Sequence, residues 1–374
     1  MVNFLKKNIL ILLILSGLLS PVLGQTTWSN KTKPGKANAL LTENKIILEN
    51  NVLKCSWDLC NNKLSITEII NHLTSEKINL KKSDPIQFIL ENGEVLRSSD
   101  FTIKDTPQIT EAPLNSDLPC KALQIQGKMI ETTLYSKKND ITILWRGILR
   151  DGSNYIKQEF TITTKEKLNI SKLVLWELPY PQSKAMGTVR GVPIVSGNIF
   201  FGYEHPTSDI SIEEEKGNIQ NFTYDILIDS GQTVNANSII GVLPKNQLRR
   251  AFLHYIERER AHPYHQFLHY ISYYDMHYHG SGDLKRCDSD QFSEVIKNWR
   301  DKFILPYNVQ FESFGFDDGW DDYENLWYID RDLFPDEFKP QYELTKPFGS
   351  GLGFWLSPTW RLCRWFTKTD TICP

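Results

Sequence analysis

Phe314-Gly315-Phe316-Asp317-Asp318-Gly319-Trp320-Asp321-Asp322 is an apolar strand that runs directly into paired carboxylates, a glycine and an indole. Neighbouring side chains at a strand end point in opposite directions. Asp317 and Asp318 therefore suit two adjacent hydroxyls of one sugar, or a division into one ligand and one brace. The plainer alternative is an Asp-Gly turn with solvated carboxylates, and the buried character of the preceding strand together with Trp320 argues against it. Trp320 is the aromatic expected to stack on a sugar face. Trp327 and Trp355 read as core, and Asp321 and Asp322 as a solvated loop. The pair does not suit the acid and nucleophile of a retaining glycosidase, whose carboxyls face each other from different strands across roughly 5–5.5 Å.

On the amino-terminal side, a strand over Gln266–Tyr274 rises to Asp275 and is followed by the polar loop His279-Gly280-Ser281-Gly282. Asp288-Ser289-Asp290 offers a helix N-cap, and Phe292, Val295, Ile296, Trp299 and Phe303 recur with helical spacing. On the carboxyl side, Phe334-Pro335 leads to a short helix and the strand Gly351–Leu356, closed by Ser357-Pro358. This β-α-β-α-β alternation implies parallel strands. A (β/α)8 barrel would collect Asp275, Asp317, Asp318 and Ser357 at the C-terminal ends of its strands. A full barrel takes roughly 250 residues, and Pro263 to Pro374 supplies 112, room for about three βα units. Three parallel strands would leave an open edge and one uncovered apolar face.

Residues 28–245 read differently. Short segments rich in β-branched and aromatic residues follow one another, among them Lys45–Leu48, Val52–Trp57, Ile86–Leu90, Ala122–Gly127, Ile141–Trp145, Tyr155–Thr163, Ile170–Leu175 and Ser238–Val242. Turns such as Glu91-Asn92-Gly93 and Asp151-Gly152 separate them, and the pattern predicts a large β-sandwich. Charged, helical residues 246–263 read as a linker helix. The fold expected is a β-sandwich followed by an incomplete (β/α)8 TIM barrel over 264–374.

Residues 1–24 have the form of a secretory signal. Lys6 and Lys7 precede an apolar stretch over Asn8–Leu19, with cleavage expected after Gly24. No later segment is apolar enough to span a bilayer, so a secreted or periplasmic protein free of the membrane is expected. The formal charge of -3 gives no reason to expect a nucleic-acid partner. Six cysteines in a chain this long make no disulfide framework, and Cys55 and Cys60 read as two buried thiols. Five of the eight histidines lie between His262 and His279 but share no ligand spacing, so no metal is expected. Gly349-Ser350-Gly351-Leu352-Gly353 precedes a strand instead of following one, which is wrong for phosphate. No cofactor is expected.

Phe316-Asp317-Asp318-Gly319-Trp320, followed by Asn325-Leu326-Trp327, Phe334-Pro335 and Gly351-Leu352-Gly353-Phe354-Trp355-Leu356-Ser357-Pro358, resembles the α-galactosidase (melibiase-like) glycoside hydrolase superfamily. Phe267–Asp275 and Gly197–Pro206 look like a divergent bacterial branch of it. The resemblance covers Val192 to Pro358, and the earlier sandwich only loosely. It implies retaining enzymes with a β-sandwich ahead of a (β/α)8 barrel, in which an Asp-Asp-Gly-Trp motif ends the second barrel strand and grips galactose hydroxyls. Those positions match Asp317, Asp318 and Trp320, and Asp275 joins them as a binding candidate. The family's nucleophile follows its fourth strand and its acid/base the sixth, so no residue here takes either role. From Thr359 the tail departs from the family pattern and reads as an out-of-frame replacement, an expectation that sequencing the locus checks. The function implied is that of an exported, C-terminally truncated α-galactosidase-like fragment that meets an oligosaccharide or glycan without turnover. A non-catalytic carbohydrate-binding protein using the sandwich is the alternative.

Overall fold

The computed structural model describes residues 28, 30–178, 183–189, 191–205, 208–213, 217–222, 226–277, 288–322, 324–325 and 327–356. The expected signal segment, the loop His279–Gly282, Ser357, the tail from Thr359 and Cys287, Cys363 and Cys373 lie outside the described residues. The chain divides into two compact units, Met1–Tyr264 and His265–Pro374.

The first unit is built from antiparallel sheets. One is a five-stranded meander from Asn38–Thr42 to Glu76–Ser83. A nine-stranded sheet has Gly127–Ser136, Ile141–Arg150, Tyr155–Thr164 and Thr233–Val242 at its centre, and a six-stranded sheet is organised around Leu168–Leu178. Strict alternation explains how the sheets commit their faces. In Tyr155–Thr164, Phe160 and Ile162 are buried while Glu159, Thr161 and Thr163 are not. The inward faces share one core, to which the meander gives Ile46 and Trp57, the nine-stranded sheet Trp145 and Phe160, and the six-stranded sheet Phe88 and Leu173. Gly197 turns the chain at φ +56°, where a Cβ would run into the Glu76 carboxylate that accepts from the Asn198 backbone N–H.

Three expectations need correction here. Ala122–Gly127 is not a strand: Ala122–Gln124 forms a 3-10 turn, and the strand begins at Gly127. The helix Leu248–Glu259 is no free linker, because it buries Ala251, His254, Tyr255 and Arg258 against the first unit. The Tyr155 hydroxyl donates to Glu259 at 2.6 Å and the Tyr255 hydroxyl to Glu204 at 2.7 Å. Lys157 bridges Glu204 at 2.9 Å and Glu259 at 3.2 Å. Burial works against the Lys157 ammonium, but those two carboxylates outweigh it and hold its pKa well above the ordinary lysine range. The lysine thus stays charged wherever the protein is folded at ordinary pH, and the helix remains clamped. The third correction concerns the thiols. Cys55 is buried, and burial pushes its pKa up, whereas Cys60 is exposed.

The second unit carries three parallel strands in chain order, His269–Ile271, Ser313–Phe316 and Gly351–Phe354. Asp288 opens the helix Ser289–Trp299 with a capping box, its carboxylate accepting from the Gln291 N–H at 2.9 Å. A second helix, Lys339–Thr345, precedes the third strand. The register sets Tyr270, Phe314 and Leu352 side by side on the face that joins the aromatic core, with Phe316 beside Phe354 one step further. The opposite face was expected to be apolar, and it is mostly bare. In register it carries His269, Ser313 and Gly351, then Ile271, Gly315 and Gly353. Ile271 is its one large apolar side chain. At Gly315 a Cβ would sit 2.8 Å from Ile271 and 3.0 Å from the Tyr270 carbonyl, so the strands approach too closely for a side chain there.

Candidate functional site

The central strand of the parallel sheet delivers the acidic motif. Phe314 and Phe316 are buried by the helices, which fixes the strand's phase and sends Asp317 out at its C-terminal end. The Asp317 N–H donates to Ser272 Oγ at 2.9 Å, and the Ser272 N–H donates to the Gly315 carbonyl at 3.1 Å. Ser272 is fully buried, so this reciprocal pair locks the end of the first strand to the start of the motif. Sequence reading passed over Ser272. Its only signal was a small hydroxyl residue directly after an apolar strand.

Asp317 then turns back on the chain, its Oδ1 accepting from the Asp318 N–H at 2.8 Å. Gly319 follows at φ +100°, a conformation that strains any residue with a side chain. Asp318 is only 5% exposed, which rules out the solvated Asp-Gly turn. A roof forms from the motif's own continuation. Asp321 bridges Ile329, the Asp322 N–H donates to the Tyr328 carbonyl at 2.8 Å, and the Asp330 N–H donates to the Trp320 carbonyl at 3.2 Å. Asp321 is therefore buried, not part of a solvated loop, while Asp322 braces the roof through Asn325 at 2.6 Å.

Two candidates change role. Trp320 was expected to offer a face to a sugar, but it is 6% exposed, packs edge-on against Phe354 and Phe338, and donates Nε1–H to the Trp355 carbonyl at 3.1 Å. The ring is almost closed to solvent, and its contact with Phe354 and its polar handle brace the third strand. Asp275 was expected at a strand end. The first strand stops at Ile271 and gives way to a π-helical turn over Tyr273–His277, so Asp275 stands exposed and accepts from the Tyr270 hydroxyl at 2.8 Å. Tyr270 belongs to the helix-facing side of the sheet, whereas strand alternation sends Asp317 to the glycine side. Asp317 and Asp318 thus follow the central strand directly, while Asp275 lies four residues beyond the end of the first strand and is tied to Tyr270. Among the described residues, no group of three or more His, Cys, Asp or Glu side chains is placed to hold a metal ion.

Solved structures with a similar fold include several α-galactosidases. The GH36 α-galactosidase AgaB of Geobacillus stearothermophilus superposes with a TM-score of 0.55 at 12% identity, over 87% of this chain and 58% of that one. The α-galactosidase of Lactobacillus brevis gives 0.52 at 12% over 84% and 55%, and the galactosidase domain of the α-galactosidase-sucrose kinase AgaSK 0.55 at 10% over 86% and 57%. The chain spans less than two thirds of the length of these structures, and at such identities the likeness is one of fold. Variants of AgaA from G. stearothermophilus have been solved with raffinose and with stachyose. No protein family and no curated protein matches the chain by sequence.

Proposed function

We propose that this chain is an exported, α-galactosidase-like protein that grips an α-galactoside with Asp317 and Asp318 and does not hydrolyse it. Its first unit is then a β-sandwich, and its parallel sheet the first three βα units of a (β/α)8 barrel. The observation that carries this reading is the near-burial of Asp318 beside half-buried Asp317 at the C-terminal end of the central parallel strand. Barrel enzymes keep their ligand-binding groups there. A carboxylate held largely out of water is stable where strong donors meet it, and carboxylates at a strand end are strong acceptors for adjacent sugar hydroxyls. The absence of turnover follows from pairing. A retaining glycosidase needs two carboxyls facing each other across roughly 5–5.5 Å, whereas Asp317 and Asp318 are chain neighbours and Asp275 is bound to Tyr270.

Calorimetric titration of the purified 374-residue chain with methyl α-galactoside tests the grip. Asp318→Ala is expected to weaken binding about 10- to 100-fold, the loss of one or two charge-assisted hydrogen bonds, while Asp275→Ala leaves it unchanged. Equal effects of the two substitutions would sink the assignment. Release of nitrophenol from a nitrophenyl α-galactoside by the same preparation, abolished by Asp317→Ala, would contradict the absence of turnover. Export has its own check: the processed protein is expected to begin at Gln25, and recovery of intact Lys6 and Lys7 from the exported fraction would exclude cleavage.

A further inference from the structure

The first unit holds a polar cleft of about 360 Å³ that the grip does not use. Three turns meet around it. Residues 91–94 link two strands of the six-stranded sheet, residues 137–140 link two of the nine-stranded sheet, and residues 165–167 carry the chain from one sheet to the other. The cleft therefore lies at an end of the unit where two sheets open towards solvent. Its volume falls in the range of about 300–1,000 Å³ usual for small-molecule sites.

The lining selects the ligand. Glu91, Glu94 and Glu166 face Lys138 and Lys167, so neither a strong anion nor a bare cation finds a matching field. A hard divalent ion wants six or more oxygens and no ammonium groups beside it. Most of the lining is polar, which disfavours an apolar guest. What remains is a neutral molecule that both donates and accepts hydrogen bonds along its rim. Leu90 and Leu168, both nearly buried, supply a small apolar floor of the kind that the C–H face of a pyranose covers.

Two details favour a hydroxyl ligand. Asn139 lines the cleft, and its Oδ1 is closed to solvent with no hydrogen-bond partner among the described residues. A buried acceptor left unmet costs about 1–3 kcal/mol, which favours a turn of the Asn139 amide into the cleft once a donor is there to meet it. The walls are also set in advance. Lys138 pairs with Glu94 at 2.6 Å, joining a turn of one sheet to a turn of the other, and Asn169 donates to Glu91 at 2.9 Å. These two bonds tie the turns around the cleft to one another.

We propose that this cleft is a second saccharide site, taking one sugar ring or the end of a neutral oligosaccharide by its hydroxyls. It does not depend on the reading of Asp317 and Asp318. Saturation-transfer NMR on the full chain tests it, with methyl α-galactoside, methyl α-glucoside and methyl α-mannoside as probes and Asp318→Ala as the background. Transfer to at least one probe is expected to persist in that background. It should fall at least fivefold when Asn139→Ala is added, and separately when the surface change Glu166→Ala is added. No transfer to any probe in Asp318→Ala overturns the cleft and leaves the grip standing. Transfer that neither cleft substitution moves also overturns it, as does transfer abolished by EDTA, which would reassign the cleft to a cation. If Asp318→Ala changes nothing while Glu166→Ala removes all transfer, the cleft stands and the grip fails.

Discussion

Replacing Gln158 by leucine is expected to destabilise the first unit by about 3–5 kcal/mol. Gln158 is fully buried, and its Oε1 accepts from two indoles at once, Trp57 Nε1–H at 3.1 Å and Trp145 Nε1–H at 3.2 Å. Its Nε2 donates to Ser238 Oγ at 3.3 Å. Trp57 comes from the five-stranded meander, and the other three from the nine-stranded sheet. One amide therefore ties two sheets in the middle of the core, where the indoles meet edge-on at 5.4 Å. Leucine fills much of the volume but accepts nothing, so two indole N–H groups lose their partner in an apolar surrounding. Each such orphan costs about 1–3 kcal/mol. With a urea dependence near 3 kcal/mol per molar, the midpoint falls by about 1–1.7 M. The chain has two units and need not unfold in one step, so the reading is taken by hydrogen exchange over Ile141–Arg150 and Tyr155–Thr164. The triple variant Trp57→Phe, Trp145→Phe, Gln158→Leu removes donors and acceptor together, and is expected to be less destabilised than the sum of the singles. A change below 1 kcal/mol in Gln158→Leu alone would mean that the indoles are otherwise satisfied.

Sequence reading did not single out Gln158. Alternation with Ile156, Phe160 and Ile162 puts Gln158 on the inward face, but only the approach of a second sheet supplies the Trp57 indole that makes the amide a tie. The strands that sequence reading missed share this cause. Ser65–Asn71, Glu76–Ser83 and Gly127–Ser136 carry polar residues at half or more of their positions, so their apolar pattern is thin and cross-strand pairing decides. Where patterning was strong the elements were legible, as at Tyr155–Thr164 and the helix opened by Asp288. At the candidate site, Phe314–Phe316 announced a buried strand and the pair Asp317-Asp318 announced its polar end, both from local sequence alone. The failures there were tertiary. Trp320 and Asp321 are buried by a loop that folds back through Ile329 and Asp330, residues with no local tie to the motif. Asp275 was misplaced because the first strand ends at Ile271, three residues earlier than its apolar character suggested, and a π-helical turn follows.

Phe316→Ala is expected to unfold the second unit while the first keeps its fold. Phe316 is 1% exposed and sits between two stacked rings, Phe292 at 3.7 Å and Phe354 at 5.3 Å, with Phe334 and Phe338 against it at 5.6 and 4.7 Å. It joins both helices of the unit to the central and third strands. Removing a buried phenylalanine costs about 3–5 kcal/mol, more where the site cannot collapse. Rings flanking the gap on both sides hold it open. Among the described residues the second unit buries nine apolar side chains in its core, far fewer than the first, and a small core leaves a margin comparable to that loss. Hydrogen exchange is expected to lose protection at His269–Ile271, Ser313–Phe316 and Gly351–Phe354 together and to keep it over Gly127–Ser136 and Thr233–Val242. Protection retained in the parallel sheet would show that the aromatic stack is not what holds it. Saccharide binding separates the two sites further. The proposed grip sits on the strand that Phe316 anchors, so Phe316→Ala is expected to abolish saccharide binding at Asp317 and Asp318, whereas the proposed cleft site bounded by Glu91, Asn139 and Glu166 is expected to keep its share.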